Sequence, residues 1–164
     1  MKYPPHTVQS DYASPLGRMI LAAADGQLVG VWFEDQRHLP DLTQWPVAPQ
    51  EPVLQEACRQ LAAYFARQRT TFDLPLYLQS GTEFQQTVWR KLQTLAAGST
   101  CSYTQLSALA GRPAAVRAVA GAVARNPLSV VVPCHRVLGS NGAMTGYAGG
   151  LPRKAALLDL ERKA

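Results

Sequence analysis

The sequence predicts an α+β fold in two parts. A small N-terminal unit of antiparallel sheet plus helix spans residues 1–80, and a mainly helical unit carrying a helix-turn-helix spans residues 81–164. Three observations predict it. β-like runs cluster at the start of the chain, helical periodicity takes over after residue 81, and the charge divides at the same place. Residues 1–80 carry six Lys/Arg against eight Asp/Glu, net −2, whereas residues 81–164 carry ten against three, net +7. A basic half joined to a mildly acidic one suggests that the second half meets a polyanion. Charge alone also fits a generic basic surface.

In the first unit, Thr7–Tyr12, Arg18–Ala24 and Leu28–Phe33 read as strands broken by Ser14-Pro15-Leu16-Gly17 and by Asp25-Gly26. Asp-Gly suits a tight hairpin, because both central positions accept positive φ. A loop with prolines at 40, 46, 49 and 52 follows. Leu54, Ala57, Cys58, Leu61 and Phe65 then mark one face of a helix from about Val53 to Arg67, with Cys58 a packed core thiol. Phe72–Leu78 is a further candidate strand, and Gln79-Ser80-Gly81 the boundary.

The second unit opens on Thr82-Glu83-Phe84-Gln85, which has capping-box spacing, ahead of the stripe Phe84, Val88, Leu92 and Leu95; Gly98 is expected to end that helix. Ser102-Tyr103-Thr104-Gln105 repeats the capping pattern and starts a short helix to Ala110. Gly111 can terminate it, and Pro113 suits the first turn of the next, Ala114–Ala124. Two short helices joined at a glycine outline a winged-helix-like helix-turn-helix, a weak signal by itself. Arg117 is the only polar side chain in that second helix, whose Ala and Gly would let a partner approach closely. A buried helix whose Arg117 escapes to solvent is the bland alternative. Leu128–Val132 reads as a buried strand leading to Pro133-Cys134-His135-Arg136, then come the turn Gly139-Ser140-Asn141-Gly142, the glycine-rich Thr145–Gly150, and a last helix from Leu151 to about Glu161.

The apolar fraction of 47% and charged fraction of 16% fit a globular protein that buries a real core. No run approaches the ~20 apolar residues that span a bilayer, and the first residues lack a secretory core, so a cytoplasmic location and no membrane partner are expected. The three cysteines, Cys58, Cys101 and Cys134, lie in no metal-ligand spacing, so reduced thiols and no metal are expected. Cys101, beside the helix-turn-helix, is expected to be buried filler. Cys134 is different: it follows an apolar run and a proline, with His135 and Arg136 next. A free thiol is only a few per cent thiolate at neutral pH, and a histidine base and nearby cations would raise that fraction. On an extended chain neighbouring side chains diverge, so His135 can serve Cys134 only across a bend or a water. Triad logic asks for a carboxylate behind the imidazole, but spacing does not say which. A buried cysteine beside an ordinary polar histidine remains open.

Val132-Pro133-Cys134-His135-Arg136-Val137 resembles the active-site signature of the O6-alkylguanine-DNA alkyltransferases. The resemblance continues through Phe84-Gln85-Gln86-Thr87-Val88-Trp89, Ser102-Tyr103, Arg117-Ala118-Val119, Asn126-Pro127, Gly146-Tyr147-Ala148-Gly149-Gly150, Lys154 and Glu161. In the first unit it is looser, chiefly at Ser14-Pro15-Leu16-Gly17 and Ala63-Tyr64-Phe65. It implies that Cys134 accepts an alkyl group, chiefly methyl, from O6-alkylguanine in duplex DNA, irreversibly and once per chain. His135 would take the thiol proton through a water, Glu161 would orient the imidazole, and Asn126 would brace the turn before the cysteine. Tyr103 would help rotate the nucleotide out and donate to the base. Arg117 would fill the vacated stack from the minor groove, with Ala118, Gly121 and Arg125 on the same DNA-facing surface. Main-chain groups of Cys134, Val137 and Ala148 would read the guanine edge, Tyr147 and Gly149 would shape the pocket, and Lys154 would tune its electrostatics.

The resemblance implies no cofactor. Some relatives hold zinc between two Cys and two His in the first unit; only Cys58, His6 and His38 are present here, so that site is not carried over. Ala148 stands where some members have serine, which leaves the preference among larger adducts open, as is activity on O4-alkylthymine. A monomer is expected, with cooperation along DNA undecided. The competing reading is a non-catalytic alkylguanine sensor, but those proteins resemble the family with tryptophan at the cysteine position. A cysteine hydrolase would leave the helix-turn-helix and Arg117 unexplained, and a transcriptional regulator with an incidental cysteine would call for a sensory partner domain.

Overall fold

The computed structural model describes residues 1–163. β1 (Val8–Ser14), β2 (Gly17–Ala24) and β3 (Gln27–Phe33) form an antiparallel sheet in that order. Asp25 and Gly26 join β2 to β3 with φ of 51° and 77°, the two positive values a type I′ turn requires. Side chains alternate across β2. Met19, Leu21 and Ala23 enter the main core, while Ile20, Ala22 and Ala24 meet Val29 and Trp32 on the other face, under Tyr3, Leu39 and Trp45.

The sheet edges are occupied by extended chain. The proline-bearing loop pairs with β1, where Gln9 N–H donates to the Pro46 carbonyl at 2.9 Å and Ala48 N–H to that of Gln9 at 2.8 Å. On the β3 side, Phe72–Leu78 is not the expected strand. It makes one bridge, Leu76 to Leu28. Pro75 has no N–H to extend a ladder, so the contact is limited to the Pro75 carbonyl and the Tyr77 N–H on either side of it.

α1 (Pro52–Phe65) starts one residue before the expected position because Glu51 caps it, its carboxylate accepting from Leu54 N–H at 2.9 Å. Leu54, Ala57, Leu61 and Tyr64 form its buried stripe, and Cys58 is half-buried at the edge of the core. α2 (Glu83–Leu92) and α3 (Tyr103–Leu109) both begin with complete capping boxes, at Thr82/Gln85 and Ser102/Gln105. α2 stops at Leu92, well before Gly98. The Thr94 hydroxyl takes the Lys91 carbonyl at 2.6 Å, competing with the helical ladder.

Between α3 and α4 (Val116–Ala124), Pro113 lies in a turn closed by Ala115 N–H on the Arg112 carbonyl at 2.9 Å. The second helix of the pair therefore begins at Val116, not Ala114. β4 (Cys101–Ser102) runs parallel to β5 (Val137–Leu138), leaving Cys101 half-buried on a ladder, and α5 (Leu151–Arg162) closes the described chain. One apolar cluster joins the sheet and α1 to Trp89, Leu106 and Val132, so the two halves share a core. Trp89 Nε1 donates to the Ala122 carbonyl at 2.8 Å, tying α2 to α4. No described helix is long and apolar enough to cross a membrane.

Gly30 is enclosed by Trp32: a Cβ there would stand 1.8 Å from the indole. Trp32 is itself packed on its other sides, so Gly30→Ala is expected to destabilise by about 1–3 kcal/mol through overpacking. Urea denaturation checks this, and an unchanged midpoint would mean that the indole moves freely.

Candidate active site

The segment from Asn126 to Arg136 positions the central cysteine. Leu128–Val132 is buried but is not a strand; it is a succession of tight turns. Only Leu128 bridges to β3, at Val31. Val130 then takes φ of 72° while Val131 N–H donates to the Ser129 carbonyl at 2.9 Å, which makes a γ-turn. Val132 N–H returns to the Leu128 carbonyl at 2.8 Å, and Cys134 N–H to that of Val132 at 2.8 Å. The Asn126 side chain overrides the β preference of these valines. Its amide donates to the Val132 carbonyl at 2.8 Å and its oxygen accepts from Leu128 N–H at 2.9 Å. Both ends of the turn are held by one side chain.

The chain then enters a single 3-10 turn, Cys134–Arg136, so neighbouring side chains diverge by roughly a third of a revolution instead of pointing oppositely. Cys134 reaches a cavity of about 300 Å³ with Tyr103, Tyr147 and Ala148 on its wall. His135 is fully buried behind it. His135 Nε2 lies 2.6 Å from Glu161 Oε1 on α5, and Nδ1 has no protein partner among the described residues. The carboxylate facing Nε2 assigns the ring proton to that nitrogen and leaves the lone pair on Nδ1.

Arg136 does not act as a cation beside the thiol, as its position in the sequence suggested. Its guanidinium grips Glu161, with Nε to Oε2 at 2.9 Å and one terminal nitrogen to Oε1 at 2.7 Å, while the other donates to the Leu95 carbonyl at 2.5 Å. That carbonyl is exposed by the early end of α2. Tyr64, on α1, donates its hydroxyl to Glu161 Oε1 at 2.8 Å. Nothing in the helical pattern around Tyr64 marks it as part of the site; the Ala63-Tyr64-Phe65 resemblance is the one signal that points to it.

Lys154 supplies the cation near the sulfur. It is buried, and its ammonium donates to the carbonyls of Val137 at 2.6 Å, Thr145 at 2.7 Å and Gly146 at 3.3 Å. It thus pins the glycine-rich loop to the cysteine segment. The Val137 carbonyl therefore already accepts one hydrogen bond, from Lys154, and Val137 is not among the residues that line the cavity around Cys134. Gly149 packs against Tyr147 and Phe33: a Cβ there would stand 2.7 Å from the one ring and 3.0 Å from the other. Arg37 N–H donates to the Ala148 carbonyl at 3.0 Å, and Arg37 and His38 line the cavity, so the first unit contributes two residues to the pocket for which the sequence predicts no part in it.

Burial pushes the Cys134 thiol up, against the opposing influence of the Asn126 amide and the Lys154 charge. Burial also lowers His135, more than Glu161 raises it, so the imidazole is neutral and available as a base at neutral pH. Burial works against the Glu161 charge, yet hydrogen bonds from His135 and Arg136 hold its carboxyl down at about 2. Tyr103 is raised by burial and then by Cys134, which keeps its hydroxyl a donor; it reaches the Gly146 carbonyl at 3.5 Å. On the outer face of α4, Arg117, Ala118 and Gly121 are exposed, with Arg125 just beyond. The inner face contributes Ala120, Val123 and Ala124 to the cavity. The helix therefore joins an exposed arginine surface to the cysteine.

Residues 83–163 match the family described as "6-O-methylguanine DNA methyltransferase, DNA binding domain", and residues 8–78 match its "ribonuclease-like domain". The chain belongs to the 6-O-methylguanine DNA methyltransferase family. A methylated-DNA–protein-cysteine methyltransferase of Mycolicibacterium paratuberculosis is 47% identical over 150 residues, covering 92% of this chain and 89% of the relative. The constitutive enzyme of that name from Bacillus subtilis is 44% identical, covering 91% and 92%. The crystal structure of Mycobacterium tuberculosis OGT in complex with DNA superposes with a TM-score of 0.87 at 42% identity, covering 96% of this chain and 93% of that one. The family's α+β architecture is thus present along both halves.

Glu161 has a folded carboxyl near 2, below the roughly 4.3 of an unfolded glutamate. A depressed carboxyl stabilises fully above the unfolded value, and that stability is lost as pH falls from about 4.3 towards 2. Urea denaturation at about pH 7 and about pH 3 should therefore show a smaller acid loss for Glu161→Gln than for the native chain. Equal losses would show that the carboxylate is not the titrating group.

Proposed function

We propose that this chain repairs DNA by moving an alkyl group from O6 of an extruded guanine onto Sγ of Cys134, once per molecule. One observation carries the proposal. In a member of this family, a buried cysteine lines a cavity, backed by a histidine–carboxylate pair and flanked by a helix with an exposed arginine. Double-stranded DNA bearing alkylated guanine is the partner, bound through the minor groove by a monomer.

O6 of guanine lies inside the base stack, so the nucleotide must leave the duplex at a cost of a few kcal/mol. Arg117 enters the gap and recovers part of that cost, with Ala118 and Gly121 permitting close approach in a narrow groove. Arg125 and the basic surface neutralise phosphates, which makes affinity salt-dependent. Tyr103 turns the nucleotide outward and donates to the base.

In the cavity, His135 Nδ1 takes the Cys134 proton through a water, and Glu161 stabilises the resulting imidazolium. The sulfur then attacks the alkyl carbon. The S–C bond forms, the C–O6 bond breaks, and its electron pair leaves with guanine, which takes up the proton that left Cys134, returned from His135 through the water, while the Tyr103 hydroxyl hydrogen-bonds the base and keeps its own proton. Cys134 and Ala148 main-chain groups and the Tyr147 ring hold the base, while Lys154 lowers the cost of negative charge on sulfur. A thioether has no thiol-exchange route back, so the chain is spent after one transfer.

Intact-mass measurement after mixing with duplex DNA containing O6-methylguanine is expected to show the gain of one methylene unit, localised to the Cys134 peptide, with guanine restored. Retained DNA affinity with no mass change would instead indicate a sensor. Arg117→Ala is expected to slow repair in duplex DNA by about tenfold or more while leaving reaction with a free alkylguanine analogue near the native rate. Equal losses on both substrates would remove the arginine from the extrusion step.

A further inference from the structure

We propose that Tyr64, a residue of the first unit, is a positioning residue for the alkyl-transfer relay, setting the basicity of His135 through Glu161 Oε1. The inference rests on the proposed reaction. It deepens that reaction by assigning the N-terminal unit a part in the chemistry.

The geometry is specific. Tyr64 ends the buried stripe of α1 and is 2% exposed. Its ring is fixed by Phe65, edge-on at 5.3 Å, and by Phe72 at 5.4 Å. From there its hydroxyl crosses the seam between the two halves and meets Oε1, the same oxygen that faces His135 Nε2. Among the described residues, Oε1 thus receives three donors, from Tyr64, His135 and Arg136, while Oε2 receives only Arg136 Nε. Simple pairing of a buried carboxylate is already provided by Arg136 in two-point contact. The phenol adds a third donor to the one oxygen that matters for the imidazole.

Two consequences follow from sharing that oxygen. The carboxylate plane is held against both halves of the molecule, so Oε1 stays in line with the His135 ring. The phenol also draws on the electron density that would otherwise attract the Nε2 proton, which moderates the rise that Glu161 gives to His135. Burial and the Glu161 charge push the phenol well above its ordinary value, so Tyr64 remains a donor throughout the working range. The other charged or titratable groups facing this cluster are Lys154 from α5, Arg136 and Cys134 from the 3-10 turn, and Tyr147 from the glycine-rich loop. None of these reaches Oε1 except Arg136.

The test is the pH dependence of single-turnover alkyl transfer from an O6-methylguanine duplex, using the full chain. Tyr64→Phe keeps the ring and removes the donor. It is expected to slow the plateau rate about three- to tenfold and to move the acid limb, set by His135, upward by about half a pH unit. Gly30→Ala, which crowds Trp32 on the far face of the sheet and leaves the Tyr64 contact intact, should lower thermal stability and leave the acid limb in place. A ring-fluorinated tyrosine at position 64, nearly isosteric and a stronger donor, should move the limb downward. It also provides the measurement should Tyr64→Phe fold poorly. A folded Tyr64→Phe chain with native rate and native acid limb would overturn the inference, as would a fluorinated chain with an unmoved limb. Failure of the native chain to alkylate Cys134 would instead overturn the underlying reaction, so the two failures are distinguishable.

Discussion

A single buried carboxylate, Glu161, is the constraint to which the rest of the molecule answers. Withdrawing a carboxylate from water costs several kcal/mol unless donors replace the lost hydration. Here the replacement comes from two places remote in sequence: the His135–Arg136 turn, and Tyr64 of α1. The shared apolar core is the condition that brings them together, because neither half contains the full set of donors. Even the early end of α2 serves this cluster. Unwinding after Leu92 turns the Leu95 carbonyl towards Arg136, which otherwise would bury a guanidinium nitrogen without a partner.

The second constraint is geometric: a cysteine and the histidine after it must face different environments, one the cavity and the other the carboxylate. A strand would separate them completely and leave the chain running straight past the cavity. Asn126 imposes tight turns instead, holding both the Leu128 N–H and the Val132 carbonyl. The left-handed conformation of Val130, a β-branched residue, is the local cost, on the order of 1–3 kcal/mol. Burial of the valines and the Leu128–Val31 bridge offset it. Strain is tolerated here because packing against β3 leaves the segment no relaxed alternative.

Features governed by local chemistry were legible in the sequence. The Asp25-Gly26 turn and the capping boxes at Thr82 and Ser102 formed where the residue types demanded them. The His135–Glu161 contact became legible only through resemblance, since no spacing rule connects residues 26 positions apart. Tertiary competition defeated the remaining expectations. Leu128–Val132 has the composition of a strand, but one buried asparagine side chain redirects it. Gly98 looked like a helix stop, but Thr94 and Arg136 claim carbonyls sooner. Pro113 suited a first helical turn, yet the chain closes a separate turn on Arg112 before α4 begins. Tyr64 was hidden for a different reason. On a helical stripe a buried tyrosine looks like any core aromatic, and only the fold shows what its hydroxyl reaches.

The electrostatics of Cys134 fit a nucleophile that can be used only once. Burial raises the thiol while Asn126 and Lys154 pull the other way, so the resting sulfur is held protonated and shielded. A permanently ionised thiol would react fastest, but it would also be open to oxidants and adventitious electrophiles, with no second chance. On the proposed reaction the proton moves only when a base fills the cavity and joins the relay, so reactivity depends on the substrate being in place. The neutral imidazole is matched to that task. Burial keeps His135 uncharged and therefore able to accept a proton, and on the proposed reaction the pre-ionised Glu161 would stabilise the charge once it arrives. On that reaction the same buried carboxylate that organises the resting fold would also carry the charge of the transfer step.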